Sequence, residues 1–135
     1  MSLEDESIIR NLVSKLAFEA DGDDIEEYIS HFTADAEWIF DSPARSARVV
    51  GRDDIKAAAL QRRAEGAQGA GSHTRHAVTT LTVDIDGDHA TARCYLLVLK
   101  TAQAAPVVSG MVVYDDRYRR TDGGWKLARR KISPG

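Results

Sequence analysis

Apolar residues in the first third of the chain recur every three or four positions, which is the spacing of an amphipathic helix. The stripe ends at the turn signal Asp21-Gly22-Asp23. A second, shorter helix is predicted after this turn, with Asp23 as its N-cap and Glu26 as the capping-box partner. Because the link is so short, we expect the two helices to pack as an antiparallel hairpin. The residues of the first stripe are Ile8, Ile9, Leu12, Val13, Leu16, Ala17 and Ala20.

The middle of the chain predicts one strand and a third helix. Residues 36–41 are rich in aromatic and β-branched side chains and predict a strand, whereas residues 42–50 are interpreted as a loop. The third helix is expected to begin at Asp53 or Asp54. Residues 66–71 are small and predict a flexible loop, which is a candidate rim for a pocket.

From residue 72 onward, apolar and polar residues alternate as they do in strands with one buried face. The dipeptide Asp86-Gly87 predicts a tight hairpin turn. Four strands are expected in this part, connected as an antiparallel meander. Since an open sheet must cover its apolar face, we expect the helices to pack against it. The order of elements therefore predicts a single α+β domain over residues 1–135.

The sequence does not decide which side chains of the first meander strand share a face. Leu81 and the apolar residues that follow it occupy odd positions, whereas His76 and Val78 occupy even positions. In a regular strand His76 would lie on the opposite face from Leu81. A β-bulge near Thr79-Thr80 would bring all of these residues to one face.

Composition narrows the class of protein. The 135 residues include 18 basic and 21 acidic side chains, a net charge of −3, and 43% of the residues are hydrophobic. This is the balance of a folded globular protein, and it lacks the basic excess of nucleic-acid binders. No segment reaches the roughly 20 apolar residues of a membrane helix, and the acidic start does not resemble a signal peptide. We expect a cytoplasmic protein whose partner is a small molecule or a protein, without nucleic acid or membrane.

Two residues are the main candidates for chemistry. Asp21 continues the apolar line of the first helix at helical spacing, which predicts an inward carboxylate able to transfer protons. Alternatively, Asp21 only turns the chain or caps the next helix. His73 and His76 are three residues apart, so in an extended strand at most one of them faces the interior.

Four further side chains are candidates for substrate binding. Tyr95, Tyr114 and Trp38 are aromatic residues of predicted strands, and Arg130 belongs to a basic cluster on the last two strands. An arginine that entered the pocket could anchor an anionic group. The single cysteine and the absence of metal-ligand spacing or a nucleotide-binding fingerprint predict neither a metal nor an organic cofactor.

Several motifs occur together in a familiar order. After the acidic turn come His-Phe-Thr-Ala-Asp-Ala-Glu-Trp at 31–38, Gly-Arg-Asp-Asp-Ile at 51–55, the strand of His76, Asp-Gly-Asp at 86–88 and Gly-Gly-Trp-Lys-Leu at 123–127. In this order the chain resembles SnoaL-like members of the nuclear-transport-factor-2-like superfamily. The resemblance implies a cone-shaped, strongly curved and mostly antiparallel sheet around N-terminal helices, with an internal pocket. It also implies a homodimer formed through the sheet face.

The same resemblance suggests an activity. The superfamily includes scytalone dehydratase, steroid isomerase, polyketide cyclases and a dehydrochlorinase, most of which use no cofactor. Its dehydratase branch uses an Asp–His dyad, and by position the two residues match Asp21 and His76. Leu16 stands where that branch tends to have Tyr or Lys, so the resemblance assigns no particular substrate.

Two functions of different classes follow from these expectations. The first is a cofactor-independent lyase or isomerase that acts on an apolar, cyclic or polyketide-like small molecule. The second is a non-catalytic module of the same fold that binds a small molecule or a protein.

Overall fold

The computed structural model describes residues 2–101 and 105–135. In these ranges the chain forms three helices and a curved, unclosed sheet of six strands. The elements, in chain order, are α1 (Leu3–Asp21), α2 (Ile25–Ser30), β1 (Phe32–Asp41), β2 (Ser46–Val50), α3 (Arg52–Ala64), β3 (Thr74–Asp86), β4 (His89–Lys100), β5 (Val107–Thr121) and β6 (Gly124–Pro134).

The sheet has the strand order β2-β1-β6-β5-β4-β3. Strands β3 to β6 form the predicted antiparallel meander, while β1 pairs with β6 in parallel. The predicted α+β class, with helices packed on a curved sheet, is confirmed. The parallel pair places the last strand of the chain in the interior of the sheet and leaves β3 as one edge.

The interpretation of residues 42–50 as a loop is wrong, because they contain the short edge strand β2. Its five residues pair antiparallel with the end of β1, which itself begins at Phe32 rather than at residue 36. Most side chains of β2 are exposed, so the segment has no alternating pattern that would predict a strand. Arg48 of β2 contacts Glu37 of β1 at 2.6 Å, an ion pair across the two strands.

The apolar stripe of the first helix is confirmed except at Ile8, which is 44% exposed. Ser2 caps α1 by accepting a hydrogen bond from the backbone N–H of Asp5 at 3.1 Å. The buried side chains of α1 include Ile9, Val13 and Leu16, all at most 1% exposed. They form one core with the aromatic residues of α2 and β1 and with the inner face of the sheet. None of the helices in the described ranges has the length and hydropathy needed to cross a membrane.

The second helix begins one residue later than predicted. Its N-cap is Asp24, whose carboxylate accepts from the N–H of Glu27 at 3.0 Å. The capping box of Asp23 with Glu26 is therefore a wrong prediction. Consecutive aspartates offer equivalent caps in sequence, and the backbone conformation decides between them.

The predicted β-hairpin between β3 and β4 and the predicted third helix are both present, and their ends also differ from the prediction. Asp86 pairs with His89, so the two turn residues are Gly87 and Asp88. Helix α3 begins at Arg52, before either of the two predicted aspartates.

A β-bulge in β3 determines which side chains of this strand lie on the same face of the sheet. The pairing of β3 with β4 shifts between Thr79 and Thr82, and Thr80 has a positive φ of 54°. As a result Val78 and Leu81 both pack against the core, although their positions differ in parity. The bulge thus keeps the start of β3 and its apolar second half on one face of the sheet.

Candidate active site

The side chains of Asp21 and His76 form a close contact. Oδ1 of Asp21 lies 2.6 Å from Nδ1 of His76, and Oδ2 accepts from the His76 backbone N–H at 3.0 Å. Both side chains are nearly buried, with 11% of Asp21 and 13% of His76 exposed. Two separate bonds to one carboxylate fix both the ring and the backbone of His76.

The local fold explains why these two residues meet. Asp21 is the last residue of α1, and His76 is near the start of β3, the edge strand against which α1 packs. The outward N–H of an edge strand has no neighbouring strand to pair with. Asp21 supplies the acceptor for that N–H, so the alternative reading, in which Asp21 only turns the chain or caps α2, does not describe its contacts.

The contact determines which ring nitrogen of His76 is basic. An ionised carboxylate only accepts hydrogen bonds, so a neutral imidazole must carry its proton on Nδ1 to donate to Asp21. The lone pair is then on Nε2. The carboxylate also stabilises the imidazolium that forms when Nε2 takes up a proton.

An interior cavity of about 30 Å³ lies between α1 and the sheet. This volume holds about one water molecule. Its apolar wall is formed by α1, β3 and β4. The aromatic and polar side chains of its lining are Tyr28, Trp38, Gln68, His76, Tyr114 and Arg130.

A second, larger depression lies outside the cavity, between α1 and the edge strand β3. This groove measures about 510 Å³, and its lining includes Phe18, a residue that is 79% exposed. The groove and the cavity share Ala17, His76 and Val78. His76 therefore stands between a small interior space and a groove of the size that binds small organic ligands.

Arg130 lines the cavity, but its charge is already paired. Its Nε and Nη2 donate to the two oxygens of Asp116, each at 2.8 Å, and both side chains are almost fully buried. Burial alone would lower the pKa of Arg130, but the charge of Asp116, its hydrogen bonds and the neighbouring tyrosines together outweigh burial and hold that pKa well above its ordinary value. Because Asp116 neutralises it, Arg130 does not offer the free anion anchor expected from the sequence.

Two tyrosines of the cavity remain neutral phenols. Tyr114 stacks on the Arg130 guanidinium, with 4.0 Å between the ring centre and Cζ. Burial raises the pKa values of Tyr114 and Tyr28 above the ordinary value. Both phenols therefore stay protonated well into the alkaline range.

The structure places the other predicted residues on both sides of the sheet. Trp38 is 6% exposed and lines the cavity together with Tyr114. Tyr95 is 42% exposed, because it alternates with the buried residues Cys94 and Leu96 of β4 and so lies on the outer face. The structure does not bring Tyr95 to the cavity, which corrects that prediction.

Gln68, like Tyr28, lines the cavity although the sequence did not single it out. It belongs to the predicted rim loop, which is tied to the end of α1 by a hydrogen bond from the Ala70 N–H to the Gly22 carbonyl at 3.1 Å. Gly69 has a φ of +92°, and a Cβ there would lie 2.9 Å from Cγ of Arg63. This glycine lets the loop pass close to α3 and carry Gln68 into the interior.

One group of potential metal ligands occurs among the described residues. Donor atoms of Glu19, Glu27 and His31 lie within 4.8 Å of one another. His31 Nε2 contacts Glu19 at 3.0 Å and Glu27 at 3.6 Å, so the group has the geometry of ion pairs between α1 and α2. It is separate from the cavity lining.

Comparison with known proteins shows the family of the chain. The SnoaL-like domain family matches residues 1–131, and the chain belongs to it. No curated protein sequence matches the chain.

Solved structures share the fold over nearly the whole length. An NTF2-like protein with a cystatin-like fold from Novosphingobium aromaticivorans is 29% identical, with a TM-score of 0.82 over 98% of this chain and 82% of that one. A protein of unknown function from Mycobacterium tuberculosis is 27% identical, with a TM-score of 0.75 over 92% of this chain and 72% of that one. A protein from Catenulispora acidiphila in complex with S-DNPA is 26% identical, with a TM-score of 0.73 over 93% of this chain and 89% of that one.

Proposed function

We propose that the protein is a cofactor-independent lyase or isomerase in which His76 is the general base and Asp21 orients it. The observation that carries this proposal is the 2.6 Å contact between the Asp21 carboxylate and Nδ1 of His76. A base whose proton position and ring orientation are fixed in advance accelerates proton transfer by about 10²–10⁴-fold. Membership of the SnoaL-like family and the ligand complex of a relative support a small organic substrate.

The reaction begins at a carbon next to an electron-withdrawing group. Nε2 of His76 takes the proton, and the electron pair of the broken C–H bond moves toward the activating group or into a new double bond. In a lyase the imidazolium protonates the departing hydroxyl group, which leaves as water. In an isomerase the same proton returns to a different carbon. Either course regenerates neutral His76 without any further reactant.

The size of the two spaces restricts how a substrate binds. A polyketide-sized molecule exceeds the interior cavity of about 30 Å³, whereas the groove of about 510 Å³ accepts a ring system. The body of the substrate therefore binds in the groove, with its reacting carbon beside His76. Phe18, exposed in the groove wall, supplies apolar contact there.

The test is a screen for deuterium uptake and elimination in D₂O, using cyclic ketones and β-hydroxy ketones and NMR detection. Wild-type protein is expected to exchange or eliminate with at least one compound class. His76→Ala and Asp21→Asn are each expected to lose about 10²–10⁴-fold in rate, while ligand affinity measured by calorimetry is retained. His73→Ala is the matched control, because His73 is exposed and three residues away.

Two results would contradict the catalytic assignment. Undiminished turnover by His76→Ala would remove His76 as the base. Tight binding of a compound with no turnover by the wild-type protein would favour the non-catalytic binding module instead.

A further inference from the structure

Two hydrogen-bond donors of the cavity lack a partner among the described residues. They are Nε1 of Trp38 and Nε2 of Gln68, and both atoms are buried. Their side chains are only 6% and 9% exposed, and both line the cavity that His76 borders. Leaving a buried donor unsatisfied is unfavourable, so two of them around one cavity indicate a bound acceptor.

The orientation of the Gln68 amide is fixed by its other end. Nε of Arg62 donates to Gln68 Oε1 at 3.1 Å. Because an arginine nitrogen can only donate, the atom that faces Arg62 must be the oxygen. The NH₂ group of Gln68 is therefore the part that remains without a partner.

The indole of Trp38 is held in place by charged neighbours. The guanidinium of Arg62 lies 5.5 Å and that of Arg130 5.7 Å from the ring centre. Neither arginine offers an acceptor atom to the indole N–H, since guanidinium groups only donate. The acceptor must come from outside these side chains.

We propose that Trp38 and Gln68 bind a carbonyl oxygen of the substrate in the interior cavity, while the apolar body lies in the groove. This inference rests on the proposed function, because the cavity is taken as part of the active site on the ground that it borders His76. A carbonyl oxygen accepts two hydrogen bonds and donates none, which matches two unpartnered N–H donors. A cavity of about 30 Å³ has room for this oxygen but not for a ring. The substrate class is thus a small apolar ketone.

The two donors would also act during proton transfer. When His76 removes a proton next to the carbonyl, negative charge develops on the carbonyl oxygen. Donors already directed at that oxygen stabilise the charge more than they stabilise the neutral ketone. Trp38 and Gln68 then contribute to the rate as well as to substrate affinity.

The experiment compares 2-indanone with indane, which has the same ring system without the oxygen. The chain contains two tryptophans, so the indole N–H region of an NMR spectrum contains two signals. Trp125 donates its N–H to Asp5 at 3.1 Å and serves as an internal control. 2-Indanone is expected to move the Trp38 signal and leave that of Trp125 in place, and indane is expected to leave the Trp38 signal in place.

Affinity gives a second readout. Trp38→Phe and Gln68→Leu are each expected to lower the affinity for 2-indanone by about fivefold, the effect of one net hydrogen bond. Neither substitution is expected to change the affinity for indane. Tyr95→Phe is the control, because Tyr95 lies on the outer face. Thermal unfolding of each variant verifies that it folds. The NMR comparison of 2-indanone with indane uses the wild-type protein and does not depend on the folding of any variant.

The outcomes separate this inference from the proposed function. A Trp38 signal that does not move at millimolar 2-indanone overturns the inference, as does a persistent contact of the indole N–H with a bound water. Equal affinity for the ketone and the hydrocarbon overturns it as well. In contrast, His76→Ala is expected to still bind 2-indanone more tightly than indane. Loss of turnover in this variant therefore tests the role of His76 as the base and does not test the carbonyl site.

Discussion

The guanidinium of Arg130 and the carboxylate of Asp116 face each other through two parallel contacts of 2.8 Å inside the core. The Tyr118 hydroxyl donates to the same carboxylate at 2.9 Å. Since an unpaired buried charge is costly, Arg130→Met is expected to lower the free energy of unfolding by about 3–5 kcal/mol. Urea denaturation measures this change.

The adjacent residue provides the control for that prediction. Arg129 is one-third exposed and lies 3.6 Å from Glu37, so Arg129→Met is expected to cost at most about 1 kcal/mol. Equal losses in the two variants would show that Asp116 and Arg130 do not form a tightly coupled buried pair.

Thr80 carries backbone strain at the bulge of β3, since its φ of 54° is unfavourable for a β-branched residue. Thr80→Gly removes a cost of about 1–2 kcal/mol and adds about 0.5–1 kcal/mol of chain entropy. We expect the free energy of unfolding to rise by up to about 1.5 kcal/mol. Thr79→Gly, at the preceding position without positive φ, is expected to lower it. A loss of stability in both variants would argue against strain at Thr80.

Substitutions at the start of α2 test which of two consecutive aspartates is the N-cap of this helix. Asp24→Ala is expected to lower the free energy of unfolding by about 1 kcal/mol, because the N–H of Glu27 loses its acceptor. Asp23→Ala keeps that bond and is expected to have less than half of this effect. Thermal denaturation of the pair distinguishes the two aspartates, and a larger effect at Asp23 would restore the capping box predicted from the sequence.

Cys94 makes stability depend on pH in the alkaline range. Burial raises the pKa of its thiol from 9.0 to about 11. The folded state therefore holds a proton that the unfolded chain releases, and this contribution is complete below pH 9 and disappears as the pH rises toward 11. The difference in unfolding free energy between wild type and Cys94→Ala should shrink over this interval. A constant difference would mean that the thiol titrates normally in the folded protein.

Much of the fold could be predicted because local patterns carry it. The stripe of α1 and the alternation of β4 each report one buried face, and the hairpin signal at Asp86-Gly87 is strong. In contrast, β2 is exposed on an edge and its pairing with β1 depends on tertiary contacts. The parallel pairing of β1 with β6 joins segments about ninety residues apart, which no local pattern indicates.

The candidate site shows the same division. Asp21 and His76 followed from helical spacing and from resemblance, whereas the sequence allowed but did not require the bulge at Thr80, which keeps the start of β3 on the same face as its apolar second half. Gln68 carries no sequence signal, because its position depends on how the loop crosses α3. Tyr95 was misplaced because the alternation of β4 runs directly into the apolar stretch 96–99, and the sequence of that stretch does not indicate which residues point inward.

The position of β6 between β1 and β5 has a consequence for synthesis of the protein. Strand β6, which follows the other five strands in the chain, joins the two halves of the sheet, and the backbone N–H of Leu127 donates to the His31 carbonyl at 2.7 Å across this junction. Until that strand emerges, the nascent chain holds two separate hairpin systems and an apolar helix with little to cover it. A chain that stops before β6 would therefore be unable to assemble its core and would be open to proteolysis.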